Sequence, residues 1–286
     1  MSNATTLVED LRFAEGPRWH DGRLWFSDMY DHAVKSVSLD GDVRIEVEIP
    51  GQPSGLGFMP DGALLIVSML DRRIVRYDGE HLLPHSDLNG VATWHCNDMI
   101  VDRQGRAYVG NFGFDLHTAE KTGDFSAKCP AALALVSADG EVSVAASGLL
   151  FPNGMVITPD ATTVVVAESM GRRLTAFDIA ADATLTNRRV WADLGGRSPD
   201  GICLDASGAI WVANAGAPEC VRVAEGGEVL DVIDTVHNCY ACMLGGPAGT
   251  TLFMLTAVAS HPDATTTSRG GRILISEVDS PHAGLP

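Results

Sequence analysis

The sequence predicts an all-β protein, a six-bladed β-propeller with four-stranded antiparallel blades around a central channel. The first observation behind this prediction is a repeat: a leading polar residue, usually followed by glycine, then a short apolar strand, a turn and a second apolar strand. The pattern occurs six times, with starts at Glu15, Ser54, Asn97, Asn153, Asp200 and Ala241. Successive starts lie about 39 to 56 residues apart, which is the length of a four-stranded blade.

The second observation is the content of each repeat, which consists of short Val, Ile, Leu, Phe and Trp runs separated by Asp-Gly, Ser-Gly or Gln-Gly turns. The predicted strands are LWFSD and VKSVSL in repeat one, ALLIVSM and RIVRYDG in repeat two, MIVD, AYVGNF, ALALVS and VSVAAS in repeat three, GMVIT, TVVVAES, RLTAFDI and RRVWADL in repeat four, and GICLD, AIWVANA, CVRVA and EVLDVI in repeat five. Residues 5–12 precede the first repeat and residues 272–278 close the last one. We expect the N-terminal strand to complete the final blade, because this pairing closes the ring and removes an open sheet edge.

Composition predicts a single domain over residues 1–286. The chain is 45% hydrophobic and 20% charged, without a low-complexity tract or a linker between halves. Its net charge of −17 argues against nucleic acid or an anionic membrane as a partner, and no stretch approaches the roughly 20 apolar residues of a membrane span. The expected partner is a small-molecule substrate, and both a monomer and a small homo-oligomer remain open.

The expected location is the cytoplasm. The first twelve residues contain neither the basic segment nor the apolar run of a secretory signal. Six cysteines are spread over the chain without the density of a disulfide scaffold, which is typical of a reducing compartment. We interpret the Cys239 and Cys242 pair as packing residues, because no second metal-binding pair and no thioredoxin-like pattern accompanies it.

The leading positions predict a polar ring. If each repeat begins on the innermost strand, these side chains point into the channel near one mouth, and four of them are Glu15, Asn97, Asn153 and Asp200. Buried carboxylates and carboxamides need a hydrogen-bond partner or a cation. Glu15 and Asp200 would balance a divalent ion and the Asn153 carbonyl would add a neutral oxygen, a set that suits Ca²⁺, Mg²⁺ or Mn²⁺.

The connection after the second strand of each blade is predicted to border the same mouth. These connections contain apolar side chains, including Met29, Tyr30, Met69, Phe112, Phe114 and Met170. The longest spacing comes from an inserted segment at residues 113–130, which is a candidate lid.

Four motifs resemble one known family over essentially the whole chain. FAEGPRW with Glu15, HCND with Asn97 and Asp98, FPNGM with Asn153, and SPDG with Asp200 are similar to the SMP-30/gluconolactonase/luciferin-regenerating-enzyme family. The resemblance implies a six-bladed propeller with a divalent metal in its channel and, in many members, lactone hydrolysis. By motif it implies Glu15, Asn153 and Asp200 as metal ligands, Asn97 as a substrate contact and Asp98 as an acid/base neighbour.

One position departs from the family pattern. Sugar-lactonase members often carry Arg two residues before the Asn, whereas this chain has His95. Together with the apolar entrance, this departure predicts a substrate less polar than a sugar lactone. The substrate-binding candidates are therefore Asn97, His95, Tyr30 and Phe114.

The predicted function is metal-dependent hydrolysis of a lactone or related ester, with phosphotriester hydrolysis as a related activity. Ca²⁺ is the expected ion, with Mg²⁺, Mn²⁺, Zn²⁺ and Fe²⁺ as alternatives. Asp98 and Asp200 are both candidate bases for the attacking water, and a metal-bound carboxylate is the poorer base, which favours Asp98. The alternative is a binding or non-hydrolytic propeller with a structural metal, similar to strictosidine-synthase-like proteins. No GxSxG elbow and no glycine-rich loop opening a helix is found.

Overall fold

A computed structural model describes residues 4–286, so residues 1–3 of the predicted domain lie outside it. Six four-stranded antiparallel sheets form the six predicted blades. Blades one to three consist of β2 (Ala14–His20), β3 (Arg23–Asp28), β4 (Ala33–Val37) and β5 (Val43–Glu48); β6 (Pro53–Phe58), β7 (Leu64–Ser68), β8 (Arg73–Tyr77) and β9 (Leu82–Asp87); and β10 (Cys96–Val101), β11 (Ala107–Asn111), β12 (Ala131–Val136) and β13 (Val142–Leu149). The six-bladed β-propeller prediction is confirmed.

The remaining blades include the closure of the ring. They consist of β14 (Pro152–Ile157), β15 (Thr163–Glu168), β16 (Arg173–Ile179) and β17 (Leu185–Asp193); β18 (Pro199–Leu204), β19 (Ile210–Asn214), β20 (Glu219–Val223) and β21 (Val229–Asp234); and β22 (Asn238–Gly245), β23 (Thr251–Ala257), β24 (Gly271–Glu277) and β1 (Thr5–Leu11). β1 lies antiparallel to β24, with Thr5 opposite Ile275 and Leu11 opposite Gly271. The predicted N-terminal strand therefore does complete the last blade.

The first strand of each blade lies innermost, against the first strands of the two neighbouring blades. Small residues permit this approach. A Cβ atom added at Gly201 would lie 2.7 Å from the Cα of Ala241, and one added at Gly154 would lie 2.8 Å from the Cα of Gly201. Glycine after the leading residue thus lets the inner strands pack backbone to backbone.

The core consists of apolar layers between adjacent blades. Trp211 is buried in the layer that joins blades five, six and one, together with Cys239 and Cys242. The Sγ atom of Cys242 lies 3.8 Å from that of Cys203, and all six cysteines are free thiols. The CxxC cysteines are therefore core packing residues in this fold.

The helices of the described chain are short and lie in connections. They are a 3₁₀ turn at Met29–Asp31, α1 at Leu116–Thr122 inside the predicted lid insertion, and α2 at Pro262–Thr265. Within residues 4–286, none of the helices has the length and apolar character needed to cross a membrane.

The C-terminal segment crosses the far ends of two inner strands. Leu285 exchanges two backbone hydrogen bonds with Ile157 at the end of β14, and the N–H of Ala283 donates to the carbonyl of Leu204 at the end of β18. The leading residues lie at the opposite ends of these strands.

Candidate active site in the central channel

A cavity of about 230 Å³ occupies the channel mouth at the leading ends of the inner strands. Its polar lining includes four predicted site residues, Glu15, Asn97, Asn153 and Asp200. Its apolar lining is contributed by Phe13, Met29, Tyr30, Met69, Phe112, Leu116, Phe151, Met170 and Tyr240. The cavity therefore combines a polar floor with an aromatic and aliphatic wall.

The four polar side chains reach the cavity because each inner strand is irregular where it carries them. The pairing register shifts between Glu15 and Arg18, and equivalent shifts follow Cys96, Pro152 and Pro199 in the other three blades. Such an irregularity bends the strand and re-aims a side chain. The repeated pattern read from the sequence thus corresponds to a repeated irregularity at the channel mouth.

Polar residues at the ends of the second strands hold the segments that lead into the inner strands. Asp28 accepts hydrogen bonds from the N–H groups of Arg12 and Phe13, and Glu168 accepts one from the N–H of Leu150 at 2.7 Å. These bonds satisfy backbone donors two or three residues before Glu15 and Asn153. They fix the path of the chain on which the site residues sit.

Blades two and six differ from the other four. Ser54 does not line the cavity, and its Oγ donates to Oδ1 of Asn97 at 3.3 Å. In blade six the register shift lies between Cys239 and Ala241, so Tyr240 faces the cavity and Ala241 does not. The repeat alignment was thus wrong by one residue in blade six. The signal that would have corrected it is the glycine that follows the leading position in four blades, because Ala241 is the small residue that takes this place in blade six.

The two floor carboxylates are buried and lack a basic partner. Glu15 is 9% exposed and Asp200 is 8% exposed. Over residues 4–286 neither makes a salt bridge, and the hydrogen bond found for Glu15 is the 3.0 Å bond from the N–H of Gly16 to Oε2. Burial and the negative charges of Asp200 and Asp98 raise the pKa of Glu15 well above its usual value. Burial and the charge of Asp98 also raise the pKa of Asp200, against a lowering contribution from the Asn153 side chain.

Two buried carboxylates without a basic partner suit a divalent cation with oxygen ligands. Buried carboxylates without a compensating positive charge favour a cation between them. The Asn153 side chain can add a neutral ligand, because its Nδ2 donates to Oγ of Ser169 at 3.1 Å and its Oδ1 takes no part in that bond. In the part of the chain described, no group of three or more His, Cys, Asp or Glu side chains is arranged to hold a metal ion. The candidate set is therefore two carboxylates, Glu15 and Asp200, and the carboxamide of Asn153.

Asp98 lies behind the floor and does not line the cavity. Its Oδ1 accepts a hydrogen bond from the N–H of Met99 at 2.7 Å and lies 3.2 Å from Nη2 of the buried Arg18. The carboxylate is therefore held in a buried ion pair. The sequence offered no sign of this pair, because Arg18 belongs to blade one and Asp98 to blade three.

The three predicted wall residues have different positions. Tyr30 lines the cavity and donates its hydroxyl to the carbonyl of Ser260 at 2.7 Å. His95 and Phe114 do not line it. The His95 ring lies 6.1 Å from that of Phe112, which does line the cavity, and burial lowers the pKa of His95. Phe114 is a buried residue of the insertion itself, with its ring 6.5 Å from that of Phe125.

Helix α1 of the insertion covers one side of the mouth, as expected for a lid. Its residues Leu116, His117 and Glu120 line the cavity. The helix lies near the start of α2: the ring of His117 is 5.8 Å from that of His261, the residue that caps α2. These lining residues were missed from the sequence, because the insertion gave no register for the helix face that turns inward.

The fold and this cavity define a β-propeller with a polar site in its central channel. The chain belongs to the SMP-30/Gluconolactonase/LRE-like family, whose model matches residues 13–258. It is 24% identical to a gluconolactonase of Zymomonas mobilis, covering 89% of this chain and 78% of the relative, and 26% identical to the pentonolactonase XacC of Haloferax volcanii, covering 88% and 84%. A crystal structure of regucalcin, a calcium-binding protein from Agrobacterium tumefaciens, superposes with a TM-score of 0.81 at 20% identity, covering all of this chain and 97% of that one. The names of these lactonase relatives support a lactone or ester hydrolase of this family.

Proposed function

We propose that the protein is a metal-dependent hydrolase that opens a lactone or a related ester in the channel cavity. The observation that carries the proposal is the pair of buried carboxylates, Glu15 and Asp200, which face the cavity without a basic partner over residues 4–286. Without a bound cation, the burial of these two negative charges would destabilise the folded protein.

Glu15, Asp200 and Asn153 would hold the ion. Carboxylate and carbonyl oxygens are the ligands of hard cations, so Ca²⁺ is the proposed ion and Mg²⁺, Mn²⁺, Zn²⁺ and Fe²⁺ are the alternatives. When bound, a divalent ion supplies Lewis-acid polarisation of the substrate carbonyl and stabilises the negative charge that develops on its oxygen.

The chain's own residues would orient the substrate and move the proton. Oδ1 of Asn97 accepts from Ser54, which leaves its Nδ2 to donate to a substrate oxygen. Asp200 faces the cavity and is the proposed base for the attacking water. Asp98 is the weaker candidate, because Arg18 and the N–H of Met99 already hold its carboxylate.

The wall supports a substrate less polar than a sugar lactone. Aromatic and aliphatic side chains predominate above the floor, and among the cavity-lining residues of the described chain there is no Lys or Arg to bind an anionic group. A neutral or cationic molecule with an apolar substituent suits this lining. A small-molecule partner and a cytoplasmic location belong to the same proposal; free thiols such as the exposed Cys129 suit a reducing compartment.

The test is proton release in a pH-stat from aliphatic, aromatic and sugar lactones. The protein is measured after metal removal and again after adding back each of the five ions. Turnover that disappears on stripping and returns with one ion supports the hydrolase and identifies metal and substrate class together. Tight metal binding without turnover of any lactone would instead favour the binding or non-hydrolytic propeller.

A further inference from the structure

The lid helix places one acidic side chain against the aromatic part of the cavity wall. Glu120 lines the cavity from α1, and its side chain is 31% exposed. Tyr30 lines the same cavity, and the negative charge of Glu120 adds to the rise that burial causes in the pKa of Tyr30. An anionic group and aromatic faces thus border the same space.

The Glu120 carboxylate has acceptor capacity to spare. Its Oε2 lies 3.8 Å from Nδ1 of His117, beyond hydrogen-bonding distance. The neighbouring Lys121 directs its Nζ to Asp263 at 3.4 Å instead. Within residues 4–286 no Lys or Arg forms a salt bridge with Glu120. Its negative charge is therefore available to attract a cation in the cavity.

The aromatic wall beside it is packed edge to face. The ring centroid of Phe13 lies 5.9 Å from that of Tyr30 and 4.8 Å from that of Tyr240, and all three residues line the cavity. Electron-rich ring faces attract a cation, and this attraction strengthens where water is excluded. Clusters of aromatic rings are a recognised arrangement for binding ammonium groups.

We propose that Glu120 and the rings of Phe13, Tyr30 and Tyr240 form a subsite for an ammonium group, so that the preferred substrate is an amine-bearing lactone or ester. The inference rests on the proposed function, which supplies the lactone or ester group that reacts. It adds that the substrate carries an ammonium substituent. The metal would balance Glu15 and Asp200, and Glu120 would remain as the negative charge that selects a cationic substituent over a neutral one.

The experiment measures binding rather than turnover, so that it stands apart from the hydrolase test. Benzylamine and benzyl alcohol are titrated into the Ca²⁺-loaded protein by NMR or calorimetry, because the two differ mainly in charge. We expect the wild type to bind benzylamine more tightly, and Glu120→Gln to reduce this preference about fivefold. Asp124→Asn is the matched control, because it removes the same charge from the insertion at an exposed residue outside the cavity, and we expect it to keep the preference.

Three other outcomes overturn the subsite. An unchanged preference in Glu120→Gln, or a wild type that prefers benzyl alcohol, removes the role of Glu120. Benzylamine that is displaced as Ca²⁺ is added binds at the floor carboxylates instead. A protein that hydrolyses no lactone and still shows the Glu120-dependent preference would separate a failed hydrolase proposal from a correct subsite.

Discussion

Oγ of Ser169 accepts a hydrogen bond from Nδ2 of Asn153 at 3.1 Å and donates its own proton to the carbonyl of Pro199 at 2.7 Å. The hydroxyl has a single proton, and that proton is committed to Pro199, so Ser169 can only accept from Asn153. The carboxamide must therefore present its N–H group to Ser169 and keep Oδ1 free. Ser169 thus orients the candidate ligand Asn153 and ties it to the residue that precedes Asp200.

Ser169→Ala is expected to weaken metal binding about tenfold or more, because loss of a group that orients a ligand typically costs 10 to 100-fold in affinity. The measurement is the metal Kd by calorimetry, with the melting temperature of the metal-free protein as a check on folding. Ser169→Thr keeps the hydroxyl and should restore most of the affinity.

Ser198→Ala provides the matched control for this prediction. Ser198 is a neighbouring serine whose Oγ donates to the backbone carbonyl of Ser169 at 3.1 Å, without contacting Asn153 through that bond. We expect it to retain the wild-type Kd. Equal Kd values for Ser169→Ala and wild type would contradict the orienting role, whereas a wild type that binds no metal would contradict the metal site itself.

Asp200→Asn is expected to reduce turnover of the best lactone by about 100-fold or more, since removal of an acid/base group typically costs 10² to 10⁴. The metal-free variant should melt at or above the wild-type temperature, because the substitution removes a buried carboxylate that has no basic partner in the described chain. Initial rates at saturating metal and melting curves of the metal-free proteins test both parts. A lowered melting temperature with little loss of turnover would favour a purely structural metal.

The fold could be predicted from the sequence because each blade of a propeller repeats the same pattern of strands and turns. Four of the inner strands show a leading residue, a glycine and an apolar run in the same order, and the second strands are equally apolar. The outer strands β5 and β9 were not predicted. They lie at the outer edges of their blades, where apolar side chains such as Ile45 and Leu83 are exposed. The regular alternation of buried apolar and exposed polar residues that indicates a strand is therefore weak in these two segments.

The site was predictable only where it follows the repeat. The structure brings Glu15, Asn97, Asn153 and Asp200 together because all four occupy the same place in their blades. Contacts between blades carry no such periodicity, so neither the partner of Asp98 nor the inward face of α1 could be read from the sequence. Tyr240 lies between these cases, since it holds a repeat position that the alignment missed by one residue.

Gly201→Ala is expected to lower the free energy of unfolding by about 2 kcal/mol, the usual cost of an extra methyl group in a packed interior. The added Cβ would lie 2.7 Å from the Cα and 2.9 Å from the Cβ of Ala241, and an inner strand cannot move away without disturbing its neighbours. Urea unfolding measures the change. Gly196→Ala is the control, because nothing lies within 4 Å of its added Cβ, and it should be close to neutral.

Glu168→Gln tests the buried carboxylate that anchors the segment before Asn153. The Glu168 side chain is fully buried, with Oε1 2.9 Å from Nε of Arg173 and 3.1 Å from Nη2 of Arg188. Burial alone would raise the pKa of Glu168, but hydrogen bonds from Arg173 and Thr175 outweigh it and hold the pKa below its usual value. The unfolded chain therefore binds more protons at this site. Its contribution to stability is present above the unfolded pKa of about 4.3 and is lost as the pH falls through the lower folded value.

At pH 7 we expect Glu168→Gln to lower the free energy of unfolding by about 2 kcal/mol, since it leaves two arginines without their buried partner. The difference from wild type should begin to shrink as the pH falls below about 4.3, where the carboxylate of the unfolded chain takes up a proton while the folded one is still ionised. Urea unfolding at pH 7 and near pH 3.5 measures both values. Asp178→Asn removes a carboxylate from the surface pair with Arg189 in the same blade, and we expect no measurable change from it. A Glu168→Gln difference that stays constant with pH would show that shape, and not charge, anchors this segment.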